Sequence, residues 1–217
     1  MTSARYTVQD VMTRTVVSVA PDAEFKEIVA AMERSKVTAV PVVDDGNRVI
    51  GVVSEADLLP KVEFHGRRIG LIEQMERLGD TARAGSVRAE DLMTSPAVTV
   101  RAQVPLPQAA RLMAARQVKR LPVVDTEGRL LGIVSRADLL KVFLRPDDDL
   151  AAEVRREVVD RLFPSAHGAV AVTVAQGVVT LSGRIHDTSL IPVAARLALA
   201  VEGVVDVDCR LEKAPPA

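Results

Sequence analysis

Cysteine and aromatic side chains are nearly missing from this chain: 217 residues hold one cysteine, no tryptophan, one tyrosine and four phenylalanines. The single thiol, Cys209, excludes an intramolecular disulfide framework and fits a reducing compartment. So few rings argue against a surface that stacks single-stranded bases, and a formal net charge of −1 leaves no basic excess for a nucleic-acid backbone. The three histidines, His65, His167 and His186, are scattered, with no pair at metal-ligand spacing. A Walker-type glycine loop and a nucleophile elbow are also missing, so no enzyme is expected. The most apolar stretch, residues 190–205, is interrupted by Arg196 and Glu202 and falls short of the ~20 residues a spanning helix needs. No apolar run follows a basic cluster at the N-terminus, so no secretion signal is read there, and a cytoplasmic location is expected.

What is present is a repeat. Asp10-Val11-Met12-Thr13 returns 81 residues later as Asp91-Leu92-Met93-Thr94, and Val40-Pro41-Val42-Val43-Asp44 returns as Leu121-Pro122-Val123-Val124-Asp125. At the same interval, residues 51–59 (Gly-Val-Val-Ser-Glu-Ala-Asp-Leu-Leu) return as residues 132–140 (Gly-Ile-Val-Ser-Arg-Ala-Asp-Leu-Leu). Three blocks in one register describe two copies of a supersecondary unit, each too small to bury its apolar faces well alone.

In each copy a short strand, residues 16–19 in the first, precedes a helix. That helix carries Phe25, Ile28, Val29 and Met32 in the first copy, with Asp22 as its cap, and Leu106, Ala109, Ala110 and Met113 in the second, with Pro105 and Pro107 in the first turn. A hairpin follows, its turn at residues 44–47 or 126–128. Each copy closes on Ser-x-x-Asp: Ser54 with Asp57, and Ser135 with Asp138. A hydroxyl at a helix N-cap with a carboxylate one turn in is a capping-box variant that any well-made helix can use. The same geometry can hold a phosphate on helix N–H groups and both hydroxyls of a ribose on the carboxylate.

The three ordered blocks resemble the cystathionine-β-synthase (CBS) domain, and two copies at this distance resemble its paired form, the Bateman module. The resemblance implies β-α-β-β-α repeats in pseudo-twofold pairing, with clefts that bind AMP, ADP, ATP or S-adenosylmethionine as regulatory ligands rather than tightly bound cofactors. By the same resemblance Asp57 and Asp138 hold ribose, while Ser54, Ser135 and basic residues ahead of the Pro-Val-Val strand face phosphate. Lys119 and Arg120 precede that strand in the second copy, where the first has Thr38 and Ala39. A desolvated phosphate needs positive charge and directed donors. The favoured cleft is therefore read as Lys119, Arg120, Ser135 and Asp138, and the weaker one as Thr38, Ser54 and Asp57.

Residues 61–87 form an insert between repeats at 7–60 and 88–145, with a basic loop at residues 65–68 and a short helix lined by Leu71, Ile72, Met75 and Leu78. From Asp147 the charge changes sign: residues 1–146 carry 21 basic and 18 acidic side chains, residues 147–217 carry 7 and 11. Here a helix bearing Leu150, Val154, Val158, Leu162 and Phe163 precedes a hairpin turning at Gln176-Gly177, a helix near Pro192 carrying Val193, Leu197 and Val201, and a last strand at residues 203–207. Gln176-Gly177-Val178-Val179-Thr180-Leu181-Ser182-Gly183 and Glu202-Gly203-Val204-Val205-Asp206-Val207 resemble the BON domain, which places a small α-β-β-α-β unit at 149–213. That family is associated with phospholipid attachment and protein interaction; the acidic charge favours a protein partner over anionic lipid. The fold class expected is α/β (α+β), with an adenine-nucleotide sensor passing its state to the BON domain. The alternative is an assembly protein, homodimerising through the helices beside Leu58-Leu59 and Leu139-Leu140.

Overall fold

The computed structural model describes residues 6–63, 87–164 and 169–215. The basic loop and short helix expected in the insert lie outside the described residues. The chain divides into two compact units, one of residues 7–136 and one of residues 137–217 with the first six residues.

In the first unit, α1 (Val8–Val11), α2 (Phe25–Ser35), β1 (Ala39–Val43), β2 (Val49–Ser54) and α3 (Glu55–Glu63) form one repeat. α4 (Ala89–Leu92), β3 (Val100–Arg101), α5 (Leu106–Ala115), β4 (Arg120–Val124) and β5 (Leu130–Ser135) form the second, and α6 (Arg136–Leu140) follows. Antiparallel pairing joins β1 to β2 and β4 to β5 in equivalent registers. Each turn must visit the left-handed region, at Asn47 (φ 59°) in one copy and Gly128 (φ 83°) in the other. In each turn an aspartate oxygen, from Asp44 or Asp125, accepts two backbone N–H groups. The N–H of Arg129, before the other contributions, holds the Asp125 carboxyl below its ordinary range.

Two details depart from the sequence reading. The strand expected at residues 16–19 contracts to one parallel bridge, Val19 to Val42, and its counterpart is the two-residue β3. α2 begins at Phe25 with Glu24, not Asp22, as N-cap, and buries Ile28, Ala31 and Met32 while Val29 is exposed. The i, i+3, i+4 spacing of those three is the narrower stripe that a small repeat can cover.

Pseudo-twofold symmetry is written in the hydrogen bonds. Thr13 bridges Ile133 and Thr94 bridges Val52, while Thr7 bridges Pro105 and Glu24 bridges Arg88. Each pair of contacts is related by the 81-residue shift. Gly51 and Gly132 allow the repeats to meet closely, since a Cβ at either would lie within 3 Å of a methionine sulfur, Met93 or Met12. A contiguous core of Val19, Ile28, Met32, Val40, Val42, Val53 and Leu92 spans elements of both repeats.

The second unit has the expected α-β-β-α-β order. A helix of α (Asp147–Val154), π (Arg155–Val159) and α (Asp160–Leu162) turns, together α7, precedes β6 (Val170–Ala175), β7 (Val178–Ile185), α8 (Ile191–Leu199) and β8 (Asp206–Lys213), in sheet order β6-β7-β8. The wider π turn rotates less per residue and sets back the helix phase; Val159 is buried beside Val158, and only Leu162 of the expected stripe is partly exposed. The last strand starts later than expected and runs to Lys213, because Gly203 (φ 100°) first turns the chain. In α8 the buried residues are Ala194 and Ala198, with Val193 and Leu197 half-buried. The hairpin tip has φ 54° at Gln176 and 74° at Gly177, and both N–H groups donate to the Asp147 carboxylate at 2.9 Å.

Arg145 forms a half-buried cluster in this unit. Its guanidinium pairs with Glu153 at 2.6 Å, the side chains 10% and 12% exposed, and donates to the Glu202 carbonyl. It also lies 5.3 Å from the Tyr6 ring, whose backbone N–H donates to the Glu202 carboxylate at 2.7 Å. Replacing Arg145 with Met removes its ion pair with Glu153 and its bond to the Glu202 carbonyl, an expected loss of about 3 kcal/mol. Denaturant unfolding followed on the C-terminal unit measures it, and a loss below about 1 kcal/mol would show the cluster to be solvated.

Candidate functional site

The site forms where β1 begins and β2 ends. The Glu55 N–H donates to the Thr38 carbonyl at 3.1 Å, which brings the residues ahead of β1 beside the start of α3. At that point Asp57 is 7% exposed, the sole buried charged residue among those described. Its Oδ2 accepts from the Ser54 N–H at 2.9 Å and from the Ser54 hydroxyl at 2.6 Å, and its Oδ1 accepts from the Thr94 hydroxyl at 3.3 Å. The capping geometry is thus real, but the hydroxyl donates to the carboxylate instead of capping helix amides.

A cavity of about 280 Å³ opens beside Asp57. Val52, Ala97, Val98 and Val118 are among its apolar lining, Ser54, Asp57, Glu55 and Thr94 are polar or acidic, and Lys119 and Arg120 are its cations, with Thr38 and Ala39 also on the wall. One side comes from each repeat.

Lys119 and Arg120, read from sequence with Ser135 and Asp138, line the cavity of Asp57. They also stay beside Ser135: Arg120 is its register partner across β4 and β5, and the Lys119 carbonyl accepts the Arg136 N–H. They reach Asp57 through the pseudo-twofold. Ala39 and Arg120 occupy equivalent positions, 81 residues apart, and meet: Arg120 Nη1 lies 3.5 Å from the Ala39 carbonyl and Nη2 donates to the Thr38 hydroxyl. A cation ahead of the strand in one repeat therefore furnishes the other repeat's cleft. The two motif aspartates also differ locally. Asp138 faces Lys141 Nζ at 2.7 Å, whereas the position equivalent to Lys141 in the first repeat is Pro60. Ser135 ends β5 in the first unit, and Asp138 belongs to the second.

Thr94 escaped sequence reading as a site residue. Its signal was the repeated Asp-x-Met-Thr block, but that block's threonine reaches the other copy's aspartate, and only pairing of the copies reveals the contact. Cys209 is half-buried, and burial, then the charge of Asp208, pushes its thiol pKa up, away from reactivity.

Two β-α-β-β-α-type repeats closed around one cavity by a pseudo-twofold define a tandem ligand-cleft module. The CBS domain model matches residues 8–63 and 89–145, more than half of the chain, and the BON domain model matches residues 146–215. The chain belongs to the CBS domain family, as a CBS pair followed by a BON domain. An uncharacterized protein of Methanocaldococcus jannaschii is 27% identical over 153 residues, spanning 63% of this chain and 90% of its own length. The CBS domain-containing protein CBSX2 of Arabidopsis thaliana is 32% identical over 153 residues, spanning 64% of both chains. The crystal structure of CBSX2 in complex with AMP superposes with a TM-score of 0.56 at 32% identity, covering 64% of this chain and 97% of that one. Among the described residues no helix is long and apolar enough to cross a membrane.

Proposed function

We propose that the cavity beside Asp57 binds a phosphorylated adenosine, AMP foremost, and that the chain is a regulatory sensor rather than an enzyme. The observation that carries this reading is one cavity lined both by a buried carboxylate, Asp57, and by two cations, Lys119 and Arg120, with Glu55 also on its wall. A carboxylate accepts hydrogen bonds from vicinal ribose hydroxyls, a purine fits apolar walls, and an Arg fork and an ammonium suit phosphate. The solved CBSX2–AMP complex, 32% identical, supports the ligand class. Because residues from both repeats face the cavity, a bound nucleotide favours one apposition of the pair, and the BON domain is the output, contacting protein rather than lipid. The lone Cys209 suits a reducing, cytoplasmic setting.

Calorimetric titration with AMP, ADP, ATP, adenosine and S-adenosylmethionine tests the reading. Saturable binding of the phosphorylated ligands is expected, weakened about tenfold or more for AMP by Arg120→Ala, since a charge-assisted bond is worth about 1.5–3 kcal/mol. No binding by any of the five would refute it.

The second reading, an assembly module, has its own observation. Leu59 and Leu140 are equivalent positions and are 59% and 61% exposed, and the equivalent Val62 and Phe143 are also exposed. These positions suit a homodimer contact, which a sensor can share. Mass and scattering profiles that stay unchanged at saturating AMP would leave assembly as the whole function.

A further inference from the structure

We infer that Thr38 sets how strongly the cavity responds to phosphate, by competing with it for the Arg120 guanidinium. This rests on the nucleotide reading above and adds a rule of selectivity to it. Arg120 belongs to the second repeat, while two of its hydrogen-bond partners, the Thr38 hydroxyl and the Ala39 carbonyl, belong to the first. The cation that faces the cavity is therefore also a tie between repeats. These two acceptors are neutral. A phosphate oxyanion adds full charge–charge attraction, and accepts in bidentate form when the fork turns to it.

A ligand's phosphate thus takes the guanidinium from Thr38, and the tie across the pseudo-twofold is lost as the ligand's own bridge forms. Adenosine, with ribose for Asp57 but no oxyanion, leaves the tie in place. The two ligand classes accordingly leave the repeat pair in different states, and the cost of breaking the tie is subtracted from phosphate affinity alone. Thr38 is a specificity-determining residue by position; the first repeat has no cation of its own there, and the break in symmetry between Thr38-Ala39 and Lys119-Arg120 gives the pair this property.

Thr38→Val keeps the shape of the side chain and removes its oxygen. In calorimetry on the full chain, the variant is expected to bind AMP at least about tenfold more tightly than the parent, the worth of one hydrogen bond to a charged group. Adenosine affinity stays within about twofold, because that ligand leaves the tie untouched. Thr38→Ser, which keeps the hydroxyl, restores the parent AMP affinity. If Thr38→Val binds AMP equally or more weakly than the parent, Thr38 is a bystander or a direct ligand contact and the competition is refuted, with nucleotide binding itself intact. If adenosine affinity rises in step with AMP, the effect is not on phosphate and the inference also falls. If the parent binds neither ligand, the nucleotide reading fails first and this inference with it.

Discussion

Asp57→Ala is expected to lower AMP affinity by at least about a hundredfold, the loss of two hydrogen bonds to a charged acceptor at about 1.5 kcal/mol or more each. The carboxylate is buried and oriented before any ligand arrives, held by the Ser54 N–H and hydroxyl and by Thr94. The substitution also removes half of a capping box, worth about 1 kcal/mol of stability. Asp57→Asn separates the two effects, since it keeps the shape and one acceptor. Asp138→Ala supplies the contrast: its carboxylate already faces Lys141, and it lies outside the residues that line the cavity. Its expected effect on AMP affinity is within about threefold, because Asp138 is not among the residues that line the cavity. Equal losses for Asp57→Ala and Asp138→Ala would show two equivalent clefts and remove the asymmetry argued above.

Gly183→Ala is expected to destabilise the C-terminal unit by about 3 kcal/mol or more, the sum of a strained backbone and an overpacked contact. Gly183 sits at φ 134°, a conformation that L side chains rarely adopt, and a Cβ there would lie 1.9 Å from the Ala169 carbonyl oxygen. That oxygen accepts the Arg184 N–H, so β6 and β7 are already in contact where the Cβ would intrude. Backbone must move, and the register from Val170–Gly183 to Ala175–Val178 moves with it. Amide hydrogen exchange over residues 170–213 reads the loss directly. Protection unchanged from the parent would mean that the strand end relaxes freely and that Gly183 is not required for the fold.

The repeat blocks were legible because each records local demands: a left-handed turn at Asn47 or Gly128, an aspartate that organises that turn, and a close approach at Gly51 or Gly132. Those demands recur at one interval wherever the copies share a structure, and an 81-residue period survives without any knowledge of packing. The α-β-β-α-β order of the C-terminal unit was legible for the same reason, through alternating valines and the Gln176-Gly177 turn. Element ends were less so. Asp22 reads as a cap by residue type, but the bridge of Glu24 to Arg88 and the Ala89 N–H donated to the Ala23 carbonyl set where α2 begins. The π turn in α7 has no signature in its residues, and Val159 is buried within it. The site was legible in its members and not in their grouping. Thr38, Ser54, Asp57, Lys119 and Arg120 were all singled out, but the cations were read with Ser135 and Asp138 alone, and their place on the wall of the Asp57 cavity did not show in the order of residues. In a pseudo-twofold pair, residues ahead of the central strands cross to the partner repeat, and that exchange depends on the dyad alone.

The direct test of the central claim is a crystal structure of the full chain grown with saturating AMP. The account predicts one nucleotide in the cavity, its ribose hydroxyls on the Asp57 carboxylate and its phosphate against Lys119 and Arg120, with the Arg120–Thr38 contact broken. A nucleotide held at Asp138 instead, or an Asp57 cavity left without ligand at saturation and Arg120 still on Thr38, would contradict it.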